Sequence, residues 1–147
     1  MRASKEIKEL IKSYEGLRLK AYDDGTGVWT IGYGHIKGVK RGQTITKEQA
    51  DKFFDDDLYR VAEYPVSDFF YKRKITLTQD HFDAIVCFTF NLGFRPTSTL
   101  IKKVLANQDD KSIWGEFLKW NKAGGKVMNG LTKRRTAEAN WYFGKKK

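Results

Sequence analysis

One cysteine, two histidines and two prolines are all that this chain of 147 residues holds of those types. The lone Cys87 admits no internal disulfide. It lies in FDAIVCFTFNLG, among apolar residues at helical spacing, and reads as a small core side chain. A catalytic thiol needs a basic partner, which two histidines scarcely supply. No cluster of His, Cys, Asp or Glu has metal-ligand spacing, so neither a metal nor another cofactor is expected. Long apolar runs are also missing. MRASKEIKELIKSY is interrupted by charge every few residues, so no signal peptide or membrane span is read there. The chain is expected to be made in a cytoplasm and to carry no export signal.

Positive charge is in surplus, with 28 Lys and Arg against 18 Asp and Glu and a net charge of +10. Such an excess suits a polyanionic partner: nucleic acid, an anionic membrane surface or an acidic wall polymer. Charge alone does not choose among them, and it can also serve solubility only. Aromatic residues at 14% and hydrophobic residues at 40% exclude a disordered chain and can fill one core.

Periodicity divides the sequence. Ile7, Leu10, Ile11 and Tyr14 recur at helical spacing, and Gly16 should end that helix near Glu15. Residues 17–36 then alternate, with DDGTG as a turn and VWTIGYGH as the return strand. TKEQ at Thr46 fits a capping box opening a long helix that reaches at least Ala62 and is bent or stopped by Pro65. Thr78 caps a helix apolar on nearly every side, ended by Gly93. Three further amphipathic helices follow, the last two separated by the glycine-rich AGGKVMNG, whereas 64–76 carries no recognisable motif. The expected architecture is α+β in a single domain. A small antiparallel sheet lobe at about 15–45 would be joined by the long helix to a larger helical lobe at about 65–147. The N-terminal helix would belong to the helical lobe, and ligand would lie in a cleft between lobes.

The chemistry concentrates in EGLRLKAYDDGTGVWTIGYGH. Glu15 stands where the first helix gives way to the hairpin, Asp24 in its turn and Thr30 on the return strand. Two carboxylates across a cleft serve glycoside hydrolysis, one protonated to donate to the leaving oxygen and one ionised as base or nucleophile. Glu15, beside the apolar Tyr14 and Leu17, is the candidate acid, and a turn aspartate in water is the candidate anion. Spacing alone leaves both Asp23 and Asp24 open.

This stretch resembles the signature of the phage-type lysozymes, the muramidase endolysins of tailed phages: a glutamate, eight residues, an aspartate, five residues and a threonine. Glu15, Asp24 and Thr30 fit, and Asp23 does not. LTQDHFDAIVCFTFNLG, STLIKKVLAN and EFLKWNKAGGKVMNGLTKRRTAE are similar to the helical lobe of the short, lambdoid-type members. The resemblance implies the two-lobed lysozyme fold. It also implies hydrolysis of the β-1,4 bond between N-acetylmuramic acid and N-acetylglucosamine in peptidoglycan, causing host lysis. Glu15 would be the general acid, with Asp24 and Thr30 holding the attacking water. Inversion is implied, and retention with Asp24 as nucleophile stays open. Gly34, Ile36, Phe90, Asn91 and Trp120 would meet substrate, the tryptophan by stacking and the asparagine through its amide. His35 would pair with Asp57 to pin the sheet lobe to the long helix. Arg134 and Arg135 would either place charge near Glu15 or form a solvated basic face. The enzyme would be a monomer, held in the host cytoplasm until a holin-type membrane permeabiliser lets it reach the wall. Two other readings compete: a basic nucleic-acid-binding domain, for which no motif is present, and membrane disruption by the cationic C-terminal helix with Trp141 and FGKKK.

Overall fold

The computed structural model describes residues 1–146. Two compact units divide the chain: Lys5–Arg60, and Met1–Ser4 together with Val61 onward. The first helix thus groups with the hairpin it leads into.

In the first unit, α1 (Lys5–Glu15) buries Ile7 and Ile11 completely. Glu15 continues that i, i+4 stripe, which is why the helix delivers this carboxylate half-buried at its end. Tyr14 lies off the stripe and is exposed. Gly16, at φ +73°, stops the helix while its N–H still donates to Lys12 O at 2.9 Å. The chain then enters β1 (Arg18–Asp23), antiparallel to β2 (Trp29–Gly32).

The register explains the hairpin's shape. Arg18 faces Gly32 and Tyr22 faces Thr30, so β1 spends four residues where β2 spends two. The surplus of β1 turns to another partner: Ala21 N donates to Gln43 O and Leu19 O accepts from Ile45 N, both at 2.9 Å. A strand that changes partner mid-way bends sharply and re-aims the side chains on either side.

α2 (Lys47–Leu58) closes the unit. Thr46 and Gln49 form the reciprocal capping box legible in TKEQ. Ala50, Phe54 and Leu58 are buried, with Tyr33 edge-on to Phe54 at 5.7 Å. Lys12–Asp51 at 3.1 Å and Lys8–Asp55 at 3.2 Å tie α1 to α2 one turn apart. Each such surface pair is worth about 0–1 kcal/mol, so apolar burial holds the helices and the ions set their register.

Pro65 does not end the helical run. A π-helical turn (Tyr59–Glu63) follows α2 and leads directly into α3 (Tyr64–Lys72). The proline sits in the first turn of α3, where its missing N–H is tolerated, and the wider π turn accommodates its ring. Most of the motif-free segment 64–76 is therefore helix.

The second unit centres on α4 (Gln79–Leu92), capped by the Thr78 side chain and buried continuously from His81 to Thr89. Around it stand α5 (Thr99–Ala106), α6 (Ile113–Leu118) and α7 (Asn129–Tyr142). The glycine-rich separator folds as a hairpin of β3 (Lys122–Ala123) and β4 (Lys126–Val127). On α7 the expected amphipathic pattern fails, because its buried face is charged: Arg134, Arg135 and Glu138 are all within the core. Arg134 Nε lies 3.2 Å and Arg135 Nε 3.3 Å from the Glu138 carboxylate, so the pair is no solvated basic face. Burial pushes the Glu138 carboxyl upward, and the two arginines oppose it. Cys87 is fully buried beside them, its carbonyl accepting from Arg134 at 3.0 Å.

Candidate active site

Glu15 is seated by Gly34. An added Cβ at Gly34 would stand 2.7 Å from Glu15 Oε1, so backbone and carboxylate are in direct contact, and φ at this glycine is +80°. Gly34 lies in the turn closed by Ile31 and His35, whose N–H and C=O groups exchange two bonds of 2.9 Å. Thr30 immediately precedes that turn. Tyr14 and Leu17 are 36% and 38% exposed, so the apolar shelter expected for Glu15 from these neighbours is absent.

Asp24 is bound by its own turn. Its Oδ1 accepts from Thr26 Oγ1 at 2.6 Å, Thr26 N at 2.8 Å and Val28 N at 3.4 Å. The Thr26 hydroxyl, followed by the Thr26 N–H, holds the Asp24 carboxyl below its ordinary value. All three bonds fall on Oδ1 of an exposed residue. Asp23 Oδ1 instead accepts from Gly25 N at 2.8 Å and Gly27 N at 3.0 Å, a bond set that shapes the loop.

Val28 connects Asp24 to Thr30. Its carbonyl accepts from Asp24 N at 3.1 Å and from Thr30 Oγ1 at 3.3 Å. The second distance is long for a hydroxyl donor, so the Thr30 hydroxyl is weakly held and can turn to a water molecule. The hairpin thereby carries an ionised carboxylate at its tip and a buried threonine hydroxyl, and its Gly34 turn meets the Glu15 carboxylate at the end of α1. Acid, anion and water-orienting hydroxyl are the groups that direct hydrolysis of a glycosidic bond requires.

Thr26 was missed in the sequence, although its signal, a hydroxyl residue two positions after an aspartate in a glycine-rich turn, is visible in DDGTG. Removing it gives a test with a definite sign. A depressed carboxylate pKa means that the ionised form persists above that value and is lost as pH falls through it. The acid limb governed by Asp24 should therefore lie below pH 3.8, the ordinary value for this group. In Thr26→Val that limb should move upward in a pH profile of kcat/KM, with the rate near neutrality little changed.

His35 Nδ1 lies 2.7 Å from Asp57 Oδ2, and the ring stacks on Phe53 at 4.3 Å. Arg60 holds the other Asp57 oxygen at 3.2 Å. This joins the Ile31–His35 turn, and with it the Glu15 seat, to α2. Ile36, just beyond, is 57% exposed.

Phe90, Asn91 and Trp120 belong to the other unit. Phe90 is half-buried and Asn91 exposed. Asn91 Oδ1 accepts from Arg135, and since arginine only donates, the asparagine amide N–H groups must point away from it. The Arg135 guanidinium lies 5.1 Å from the Phe88 ring, whose edge meets Trp120 at 5.7 Å. Arg135 thus orients Asn91 and supports Trp120 through Phe88, a role that the charged string KRR concealed.

The family model named Phage lysozyme matches residues 12–138. The chain belongs to the phage lysozyme family. It is accordingly an enzyme of the glycoside hydrolase class. Its sequence is 44% identical over 135 residues to the endolysin of Acyrthosiphon pisum secondary endosymbiont phage 1, covering 88% of this chain and 89% of that one. With the endolysin of Bacillus phage B103 it shares 45% identity over 139 residues, 91% of this chain and 51% of the relative, so it spans about half of that protein. Among solved structures, the muramidase domain of SpmX from Asticaccaulis excentricus superposes with a TM-score of 0.82 at 32% identity, over 96% of this chain and 97% of that one. The helices and the small antiparallel sheet expected of an α+β chain are both present.

The membrane-disruption reading fails on α7. Trp141 and Tyr142 are 5% and 1% exposed, packed inward, so the helix has no apolar face to offer a bilayer. Lys146 of the tail is tied to Asp80 at 2.7 Å, and Lys147 lies outside the described residues. Among the described residues no helix is long and apolar enough to cross a membrane.

Proposed function

We propose that this phage lysozyme cleaves the β-1,4 bond between N-acetylmuramic acid and N-acetylglucosamine in peptidoglycan. Glu15 donates a proton to the leaving oxygen. Asp24, ionised through its Thr26 bonds, and the Thr30 hydroxyl hold the attacking water. The single observation that carries this reading is the hairpin that links Asp24 to Thr30 through Val28 and returns to seat Glu15 on Gly34. Because Tyr14 and Leu17 leave Glu15 accessible to solvent, the bound sugar completes the exclusion of water around it. The two carboxylates sit at opposite ends of the hairpin, a placement that favours the wider separation of an inverting mechanism, with water between acid and base. Asn91, with its amide turned outward by Arg135, serves N-acetyl and hydroxyl acceptors, and Trp120 packs on a sugar face.

Digestion of purified peptidoglycan followed by analysis of reducing ends decides the bond. Reducing-end muramic acid is expected; reducing-end glucosamine or cut peptide stems would defeat the assignment.

The chain acts as a monomer on peptidoglycan and remains in the host cytoplasm until a separate holin-type permeabiliser opens the membrane. Expression of the chain alone in a Gram-negative cell should cause no lysis until the membrane is permeabilised by other means. Prompt lysis without that treatment would reveal an export route.

A further inference from the structure

The end of α7 carries a pocket that the hydrolytic site does not use. Lys111, Trp114, Asn140, Phe143 and Lys145 line a cavity of about 280 Å³. That size falls just below the usual range of ligand pockets, ~300 to ~1,000 Å³, and suits one sugar ring better than a chain.

Trp114 is 40% exposed, and its Nε1–H donates to Asn140 Oδ1 at 2.9 Å, which fixes the indole against the helix end. An indole N–H only donates, so the Asn140 oxygen faces Trp114 and the Asn140 NH₂ is turned away from it as a donor. The Asn140 carbonyl is also occupied, by Phe143 N at 3.2 Å and Lys145 N at 2.8 Å. Lys111 Nζ stands 5.8 Å from the Phe143 ring centroid. Among the described residues neither Lys111 nor Lys145 enters an ion pair. The adjacent Asp110 is engaged by Ser112 N at 2.9 Å and Ser112 Oγ at 2.7 Å. The pocket is thus lined by two aromatic residues, an amide and two lysines, while the Asn140 side-chain oxygen and main-chain carbonyl each already accept bonds.

We propose that this pocket is a second saccharide site, for a sugar unit that carries a carboxylate. The ring face packs on Trp114, and the carboxylate accepts from Lys111, Lys145 and the Asn140 amide in charge-assisted bonds. Muramic acid, whose lactyl carboxylate is free wherever the stem peptide has been removed, is the acidic unit of the polymer that the proposed activity cleaves, and the inference rests on that reading only for this choice. Such a site holds the enzyme on wall strands from which the stem peptides have been removed, without contributing to bond cleavage.

The test uses the full chain labelled with ¹⁵N, following the Trp114 indole cross-peak, identified by its loss in Trp114→Phe. N-acetylmuramic acid should shift that peak saturably. Neutral N-acetylglucosamine, and lactate without a sugar, should each bind at least tenfold more weakly there. The Lys111→Ala/Lys145→Ala double variant should raise the Kd for N-acetylmuramic acid at least tenfold and leave cleavage of a short soluble oligosaccharide unchanged. No saturable shift, an equal response to the neutral sugar or to lactate, or unchanged affinity in the double variant would each overturn the site. If the chain fails to cleave peptidoglycan while the Trp114 peak responds, the proposed activity falls and the acidic-sugar site stands. Cleavage without any Trp114 response defeats the site alone.

Discussion

Glu15→Gln should leave a folded protein that no longer dissolves cell walls. The amide keeps the size and shape of the carboxyl group and removes its transferable proton. A positioned general acid contributes ~10²–10⁴-fold, so kcat should fall by about that factor while circular dichroism and Tm stay near those of the parent. Near-normal turnover in the folded variant would remove Glu15 from the mechanism. The neighbouring aspartates sharpen the result. Asp24→Asn keeps an oxygen for Thr26 and Val28 but loses the charge proposed to hold the attacking water, so lysis should again fall by orders of magnitude. Asp23→Asn also keeps an oxygen to accept from Gly25 and Gly27, and there the charge has no assigned role, so the effect should be mild. The reverse order would mean that the catalytic aspartate is Asp23.

What could be read from the sequence, and what could not, follows from the range of the interactions involved. α1, the Thr46 capping box, the Thr78 cap and the Gly16 stop are set by neighbours within four residues, and each is legible in the sequence. The resemblance to the family signature singled out Glu15 at the end of the first helix, Asp24 in the hairpin turn and Thr30 on the return strand, where spacing alone left Asp23 open. The partner change of β1 was not legible, because it depends on residues 43–45 some two dozen positions downstream. Pro65 was read as a bend or a stop because the rule assumes α-helical geometry, whereas a π turn precedes it here. Arg134 and Arg135 were misread for a related reason. A buried guanidinium is rare, and only Glu138 one turn further along the same helix, in a three-dimensional context, makes it tolerable. The buried charge on α7 is also what orients Asn91, so the least legible part of the fold supports a substrate-binding candidate.

Gly34→Ala should separate the geometry of the Glu15 seat from the chemistry of its carboxyl. A Cβ there would approach Glu15 Oε1 to 2.7 Å, closer than real contacts allow. The backbone also sits at φ +80°, where alanine is strained by roughly 1–2 kcal/mol. The first effect moves the end of a flexible side chain and costs the fold little. It does displace the proposed proton donor, and a misplacement of about 1 Å at a reacting centre can cost ~10²-fold in rate. The expected variant is therefore only a few degrees less stable in Tm yet about a hundredfold slower on walls. Gly38→Ala supplies the control, since its φ is +70° and nothing lies within 4 Å of its would-be Cβ. It bears the same backbone strain without touching Glu15, so it should lose similar stability and keep its activity. Equal loss of activity in both variants would show that backbone strain, and not the Glu15 contact, sets the rate. A fully active Gly34→Ala would show that Glu15 does not need this seat, and the geometric part of the mechanism would fall with it.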